Sequence, residues 1–170
     1  VTARQLVFDI PMHTVNLLRP YAFHAPLSMH LLRVLGAQSE MTFDQMAEVL
    51  NTIQQNCRQD KMDPNEERTV RMILQCMFTL LFDTKGKCPI SVTELYLPTP
   101  TGKLLPSKDL HYADAYQMDG MALSSTELEF VVPLKQCGIT FADESTLIIL
   151  LPDRLRPQHV RQKFQEKPCD

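Results

Sequence analysis

The sequence predicts an α+β fold, in which a helical N-terminal half surrounds one central helix and a small, mostly antiparallel sheet and a C-terminal helix follow it. Three observations predict this arrangement. Apolar residues recur at helical spacing between residues 63 and 82. After Asp83 the chain becomes richer in proline and in short apolar runs. Helical spacing returns at Pro157, with Val160 and Phe164 on one face. The predicted parts are about 11–83, 90–152 and 157–167.

Composition favours a single domain over residues 1–170. A chain of 170 residues that is 44% hydrophobic can build one core. The formal net charge of -3 gives no reason to expect nucleic acid or an anionic membrane as partner. The longest apolar run, Thr146–Pro152, is too short to span a membrane, and the opening residues lack the apolar region of a signal peptide. We therefore expect a cytoplasmic protein, whose start is cut from a longer chain.

The central helix has a well-specified beginning. Asp63 can cap the first free amides, and Pro64 suits the first helical position. The negative charges of Glu66 and Glu67 are stabilised by the positive end of the helix dipole. One face of this helix is apolar. The opposite side also carries apolar side chains, namely Met72, Cys76, Leu80 and Phe82. This pattern predicts a helix buried on nearly all sides. The residues of the first face are Val70, Ile73, Leu74, Met77, Phe78 and Leu81.

The segments before the central helix also have helical signals. Leu27–Leu35 is a short predicted helix ended by Gly36, and Gln5–Ile10 is a candidate strand. A further helix begins at Thr42, whose spacing to Gln45 makes a capping box. The polar residues 57–66 then predict a turn between two helices of a hairpin.

Strands are predicted in the second half. Glu94–Pro98 and Gly102–Pro106 flank a turn in which Gly102 can adopt a positive φ, so they predict a β-hairpin. Leu128–Val132 is another candidate strand. Ser145–Pro152 is apolar enough to predict a central strand of a sheet.

Cysteine usage argues for reduced thiols. Five widely spaced cysteines with no CxxC pair fit neither a disulfide framework nor a zinc finger: Cys57, Cys76, Cys88, Cys137 and Cys169. Cys88 and Cys137 lie in loop-like sequence, and His111 and Asp114 are conceivable catalytic partners. Nothing in the spacing brings these groups together, so we assign no catalytic residue and expect no enzyme activity.

No metal or cofactor site is expected. None of the five histidines is four residues from another, as a helical metal site requires: His13, His24, His30, His111 and His159. The glycines are at least sixteen residues apart, which excludes a P-loop and a GxGxxG turn. Glu127 and Glu129 share one face of a predicted strand and fit a solvated surface.

The C-terminal tail is basic. Its positive residues fit a solvated helix, with an acidic partner as the alternative: Arg154, Arg156, Arg161, Lys163 and Lys167.

One stretch resembles a known family. LYLPTPTGKLLPSKDLHYADA, at Leu95–Ala115, is similar to the repeated segment of the sacsin family, and LLPDRLRP at Leu150–Pro157 resembles other segments of those repeats. The positions that carry the first match are Pro98, Gly102, Leu104 or Leu105, Pro106, Leu110, Tyr112 and Asp114. The resemblance implies a piece of a very large cytoplasmic chaperone-like protein, whose repeats begin with an ATPase module of the gyrase and heat-shock chaperone type. This stretch would lie outside that module.

Our leading hypothesis is therefore a noncatalytic repeat subdomain that supports protein quality control. Its expected partners are neighbouring domains of the same large chain, including ATPase modules, and client or co-chaperone proteins. An independent protein-interaction module and a thiol-dependent hydrolase are the alternatives.

Overall fold

The computed structural model describes residues 41–57, 60–112 and 128–159. In chain order these contain helices α1 (Phe43–Cys57) and α2 (Pro64–Asp83), strands β1 (Tyr96–Pro98), β2 (Leu104–Pro106) and β3 (His111–Tyr112), helix α3 (Glu144–Leu150) and strand β4 (Gln158–His159). Short 3-10 turns lie at Ser107–Asp109, Leu134–Cys137 and Asp153–Leu155. The predicted α+β class is confirmed. The predicted strand Gln5–Ile10 and helix Leu27–Leu35 lie outside the described residues.

Both predicted helix starts are confirmed. Thr42 N–H donates to Gln45 Oε1 at 2.9 Å, and Gln45 N–H donates to Thr42 Oγ1 at 3.4 Å. Asp63 Oδ1 accepts the amides of Asn65 and Glu66, while Glu66 Oε2 accepts the amide of Asp63 at 2.9 Å. Side chains thus satisfy amides that would otherwise lack partners at the first turn of each helix.

Helix α2 is central but open on one flank. Its predicted apolar face is buried, each side chain being at most 1% exposed, and it packs against α1, α3 and the turn Leu134–Cys137. The opposite side differs from the prediction, because Cys76 is exposed, Phe82 is 45% exposed, and Met72 and Leu80 are only partly buried. Apolar spacing shows which side chains favour burial, and folded proteins still leave many apolar atoms at the surface.

The β1–β2 hairpin has the predicted antiparallel form. Leu97 lies opposite Leu105, and Thr99 N–H donates to the Lys103 carbonyl at 2.8 Å across the turn. Gly102 has φ +82°, the left-handed conformation that the turn requires. The hairpin packs on α1, with Leu97 and Leu104 buried.

A second pairing is parallel. β3 pairs with β4, with His111 opposite Gln158 and Tyr112 opposite His159. The predicted strand Leu128–Val132 is reduced to a single parallel bridge between Phe130 and His111.

The prediction of a strand at Ser145–Pro152 is wrong, because these residues form most of α3. Asp143 precedes the helix, and Leu147 and Ile148 are buried on the face toward α2, with Leu151 buried just after the helix. Ile149 is 58% exposed, as expected of a helix with one buried face. The helix predicted to begin at Pro157 is also not seen there, since Gln158–His159 is a strand; residues 160–167 lie outside the described part.

Both halves of the chain contribute to one hydrophobic core. It joins the buried faces of α1 and α2 to side chains of the hairpin and of the segments around α3, among them Leu97, Leu134, Leu147 and Leu155. At the edge of this core, the loop from Cys88 to Thr93 contacts the residues after α3 through hydrogen bonds from Arg154.

Candidate functional site

A shallow depression marks the place where the hairpin meets the segment after α3. It encloses no space for a water-sized molecule and is lined by Thr93, Glu94, Leu95, Pro106, Ser107, Lys108, Arg154 and Leu155. Ligand clefts usually measure about 300–1,000 Å³. The depression is therefore a surface feature and not a small-molecule pocket.

The charges at its rim are already engaged. Tyr96 Oη donates to Glu94 Oε2 at 2.7 Å, and Lys108 Nζ lies 3.8 Å from Glu94 Oε1. Burial, followed by the bond to Glu94, raises the pKa of Tyr96 to about 12. Tyr96 is thus a neutral phenol at physiological pH and cannot act as a base there.

Two arginines of the predicted basic tail bind backbone carbonyls of this chain. Arg154 Nε donates to the Val92 carbonyl at 3.1 Å, and its Nη2 donates to the Pro89 carbonyl at 2.8 Å. Arg156 donates to the carbonyls of Ile149 and Leu151 at the end of α3. These contacts give both residues a structural role, which the helical interpretation of the tail did not include. Arg161, Lys163 and Lys167 lie outside the described residues.

The two thiols considered for catalysis are held in their protonated form. Burial raises the pKa of Cys88, with Arg154 opposing the shift, and burial raises the pKa of Cys137, with Arg71 opposing it. A thiol attacks as its thiolate, so a raised pKa disfavours nucleophilic chemistry. Cys88 donates weakly to the Pro89 carbonyl at 3.7 Å, and Cys137 is 2% exposed.

The histidines that are described lie in the small parallel sheet. His111 is 6% exposed, with its ring centroid 6.4 Å from that of Phe130, and His159 meets the Tyr112 ring edge-on at 4.8 Å. Within residues 41–57, 60–112 and 128–159, no group of three or more His, Cys, Asp or Glu residues is arranged to hold a metal ion. His13, His24, His30 and Asp114 lie outside those ranges.

Of the paired glutamates, only Glu129 is described. Its side chain is exposed, and its carbonyl accepts the His111 amide at 2.9 Å. This placement agrees with the expected solvated surface.

The structure also shows a thiol contact that sequence analysis missed. Cys57 Sγ donates to Glu66 Oε2 at 3.2 Å, and burial, together with this bond, raises the pKa of Cys57 to about 12. The available signal was the position of Cys57 at the end of one helix and of Glu66 in the first turn of the next.

An exposed aromatic pair lies at the C-terminal end of α2. Phe82 and Phe141, which are 45% and 46% exposed, meet edge-to-face with ring centroids 5.4 Å apart. The two adjoining rings thus form one continuous exposed apolar surface.

No helix in the described part of the chain is long and apolar enough to cross a membrane.

Comparison with known proteins gives one informative similarity. No family model matches the chain, and no solved structure matches it significantly. Human sacsin is 29% identical over an alignment of 160 positions that covers 88% of this chain. The chain spans only 4% of the length of that curated relative. The similarity confirms the resemblance predicted from residues 95–115 and extends it across most of the sequence, so it supports a sacsin-related region at modest identity.

Proposed function

We propose that this chain is a noncatalytic repeat subdomain of a large chaperone-like protein and acts through contacts with other protein domains. The similarity to sacsin over 88% of the chain carries the proposal. What the resemblance implies for such a protein is a cytoplasmic role in protein quality control. The proposed partners are neighbouring domains of the same large chain, with client and co-chaperone proteins as further ones.

The chemistry of the described side chains supports a noncatalytic role. The thiols of Cys57, Cys88 and Cys137 all have raised pKa values, and that of Tyr96 is raised as well. A thiol or phenol that acts as an enzyme nucleophile or base needs the opposite shift, a pKa lowered toward neutral pH. The depression beside Arg154 is also too small to enclose a substrate. These observations disfavour the thiol-dependent hydrolase.

The Phe82–Phe141 pair supports a role in protein contact. Both rings lie near the end of α2, the helix that packs against α3. Aromatic side chains contribute large apolar area at low entropic cost and are frequent anchors of interfaces. We propose that this pair contacts a neighbouring ATPase module of the same large chain.

The test is a binding titration of the full chain with a separately produced ATPase module of the sacsin type. We expect saturable binding, and Phe82→Ser together with Phe141→Ser should weaken it about tenfold or more, as loss of an interface anchor does. Ile90→Ser is the matched control, because Ile90 is 88% exposed and lies outside the pair. Melting curves of each variant separate loss of binding from loss of folding. Binding that is absent, or unaffected by the paired change, would contradict the proposed contact.

Nucleotide binding gives a second test, which addresses the noncatalytic role. Calorimetry of the chain with millimolar ATP and magnesium should show no saturable heat, and the melting temperature should not rise. A bound ligand at about a hundredfold excess over its dissociation constant would stabilise the fold by about 2.7 kcal/mol. Saturable heat with such a shift would favour an enzyme. Binding of unrelated proteins without binding of the ATPase module would favour an independent interaction module.

A further inference from the structure

Residues 152–159 cross the edge of the core after α3, and we refer to them as the strap. They contain one 3-10 turn, Asp153–Leu155, and the two-residue strand β4. Leu155 is 1% exposed and Pro157 is buried, whereas Asp153, Arg154 and Gln158 are exposed. The strap is therefore attached to the domain through a small number of places along its length.

Three sets of hydrogen bonds attach it, in addition to the edge-on contact between the His159 and Tyr112 rings. Arg154 donates to the carbonyls of Val92 and Pro89, in the loop that follows the central helix. The Leu155 carbonyl accepts a buried hydrogen bond from Ser107 Oγ at 2.7 Å. The Gln158 amide donates to the Leu110 carbonyl at 2.9 Å, beside the parallel pairing with β3. The strap thus joins the loop after α2, the turn after β2 and strand β3.

These attachments are weak in comparison with the helical core. Helices α1 and α2 each bury seven side chains, while the strap buries a leucine and a proline. Parallel pairing is slightly less stable per residue than antiparallel pairing, and here it covers two residue pairs. Local stability follows buried apolar contacts, so the strap and the helical core differ widely in their resistance to opening.

The two arginines of the strap, Arg154 and Arg156, differ in how far along the chain their hydrogen-bond partners lie. The carbonyl partners of Arg154 are 62 and 65 residues away in the chain, so those bonds break if the strap leaves. The carbonyl partners of Arg156 are five and seven residues away, and Asp153, at 2.8 Å from its Nη1, is three residues away. The bonds of Arg156 can therefore persist around the end of α3 in an opened strap.

We propose that the strap opens as a unit while the helical core stays folded, and that Arg154 is the latch that holds it closed. Opening exposes the part of the core that the Leu155 side chain covers, and it exposes the Leu110 carbonyl at the edge of β3. It also removes Arg154 from the Pro89 and Val92 carbonyls, of which the Pro89 carbonyl keeps its bond from the Val92 amide at 3.3 Å. The strap is thereby a conformational switch that couples the loop after the central helix to the small parallel sheet. This inference is independent of the proposed function.

Hydrogen exchange of the full chain, measured amide by amide by NMR, tests the proposal. In the unaltered protein, the Gln158 amide should exchange at least a hundredfold faster than the Met77 amide in α2, after correction for intrinsic rates. Its exchange should also depend little on low urea concentrations, because a local opening exposes little surface. A urea dependence equal to that of Met77 would overturn the proposal, since both amides would then exchange through global unfolding.

Substitution of the two arginines gives the matched comparison. Arg154→Gln removes two charge-assisted bonds and should speed exchange of the Gln158 amide on the order of tenfold, with exchange in α2 unchanged. Arg156→Gln should change exchange of the Gln158 amide by less than about twofold, because its bonds are local to α3. An equal effect of the two changes, or no effect of Arg154→Gln, would overturn the assignment of Arg154 as latch. If Arg154→Gln fails to fold, Ser107→Ala tests the same opening through the bond to Leu155.

Discussion

The Cys57 thiol donates to the Glu66 carboxylate across the turn between α1 and α2, at an Sγ to Oε2 distance of 3.2 Å. The same carboxylate oxygen accepts the Asp63 amide at the start of α2. One glutamate therefore completes the helix cap and ties the preceding helix to it.

The reactivity of Cys57 should reflect this contact. Glu66→Gln removes the negative charge that helps to keep the thiol protonated, and we expect labelling of Cys57 by a thiol reagent to accelerate about tenfold, equivalent to one pKa unit. Peptide mapping by mass spectrometry at neutral pH would measure the rate. Glu67→Gln is the control, because Glu67 pairs with Arg71 instead. Equal labelling rates in the two variants would contradict the role of Glu66.

Alkaline pH should destabilise the fold. The pKa of Cys57 rises from 9.0 to about 12 and that of Tyr96 from 10.0 to about 12. The unfolded chain therefore loses these protons at lower pH than the folded chain. The stabilisation is fully present below the unfolded pKa values and is lost as pH rises toward the folded ones.

Urea unfolding at pH values from about 8 to 11 would measure this loss of stability. Cys57→Ala should reduce the steepness of the decline, while Cys76→Ala, at an exposed position, should leave it unchanged. A decline of the same steepness in Cys57→Ala and in the unaltered protein would show that Cys57 has no part in it.

Gly86 should tolerate a side chain poorly. It has φ +79°, and a Cβ atom added there would lie 2.9 Å from the Leu150 carbonyl oxygen. We expect Gly86→Ala to lower the free energy of unfolding by about 2–4 kcal/mol, from backbone strain and from the clash together. Gly102→Ala is the matched control, because its φ is +82° and the nearest atoms lie 3.8 Å from the added Cβ. If chemical denaturation shows equal losses of unfolding free energy in the two variants, backbone strain alone accounts for the destabilisation.

A charge on the buried face of α2 should unfold the domain. Met77 and Leu81 are each 1% exposed, so Met77→Asp or Leu81→Asp would bury a carboxylate without solvent and cost several kcal/mol, a large part of the stability of a typical domain. Thr79→Asp, on the exposed side of the same helix, should change stability by about 0.5 kcal/mol or less. Circular dichroism melting curves distinguish the two results. Soluble, cooperatively melting Asp variants at positions 77 and 81 would contradict the packing of this face.

The elements that sequence analysis predicted well are those fixed by local chemistry. Asp63 and Thr42 cap their helices through residues three positions away, and Gly102 permits its turn, so the necessary information is close in the chain. Ser145–Pro152 was assigned wrongly because a short apolar run has no periodicity that separates a strand from a buried helix. Its helical form is settled by contact with α2.

The contacts around the candidate site depend on distant parts of the chain. The bonds from Arg154 to Val92 and from Ser107 to Leu155 join residues 62 and 48 positions apart. No spacing rule predicts which carbonyl an arginine reaches at that separation. The family resemblance, by contrast, was carried by the residues themselves and needed no knowledge of the fold.

The placement of the partners of α2 has a consequence for synthesis of the chain. The helix is complete at Asp83, but the turn Leu134–Cys137 and helix α3, which cover part of its apolar face, lie more than fifty residues later. At translation rates of about 5–20 residues per second, the interval between Asp83 and Leu151 lasts roughly 3–14 s. During that time α1 is the described helix available to cover the apolar face of α2. The nascent helical hairpin should therefore expose part of the apolar face of α2 until those last partners leave the ribosome.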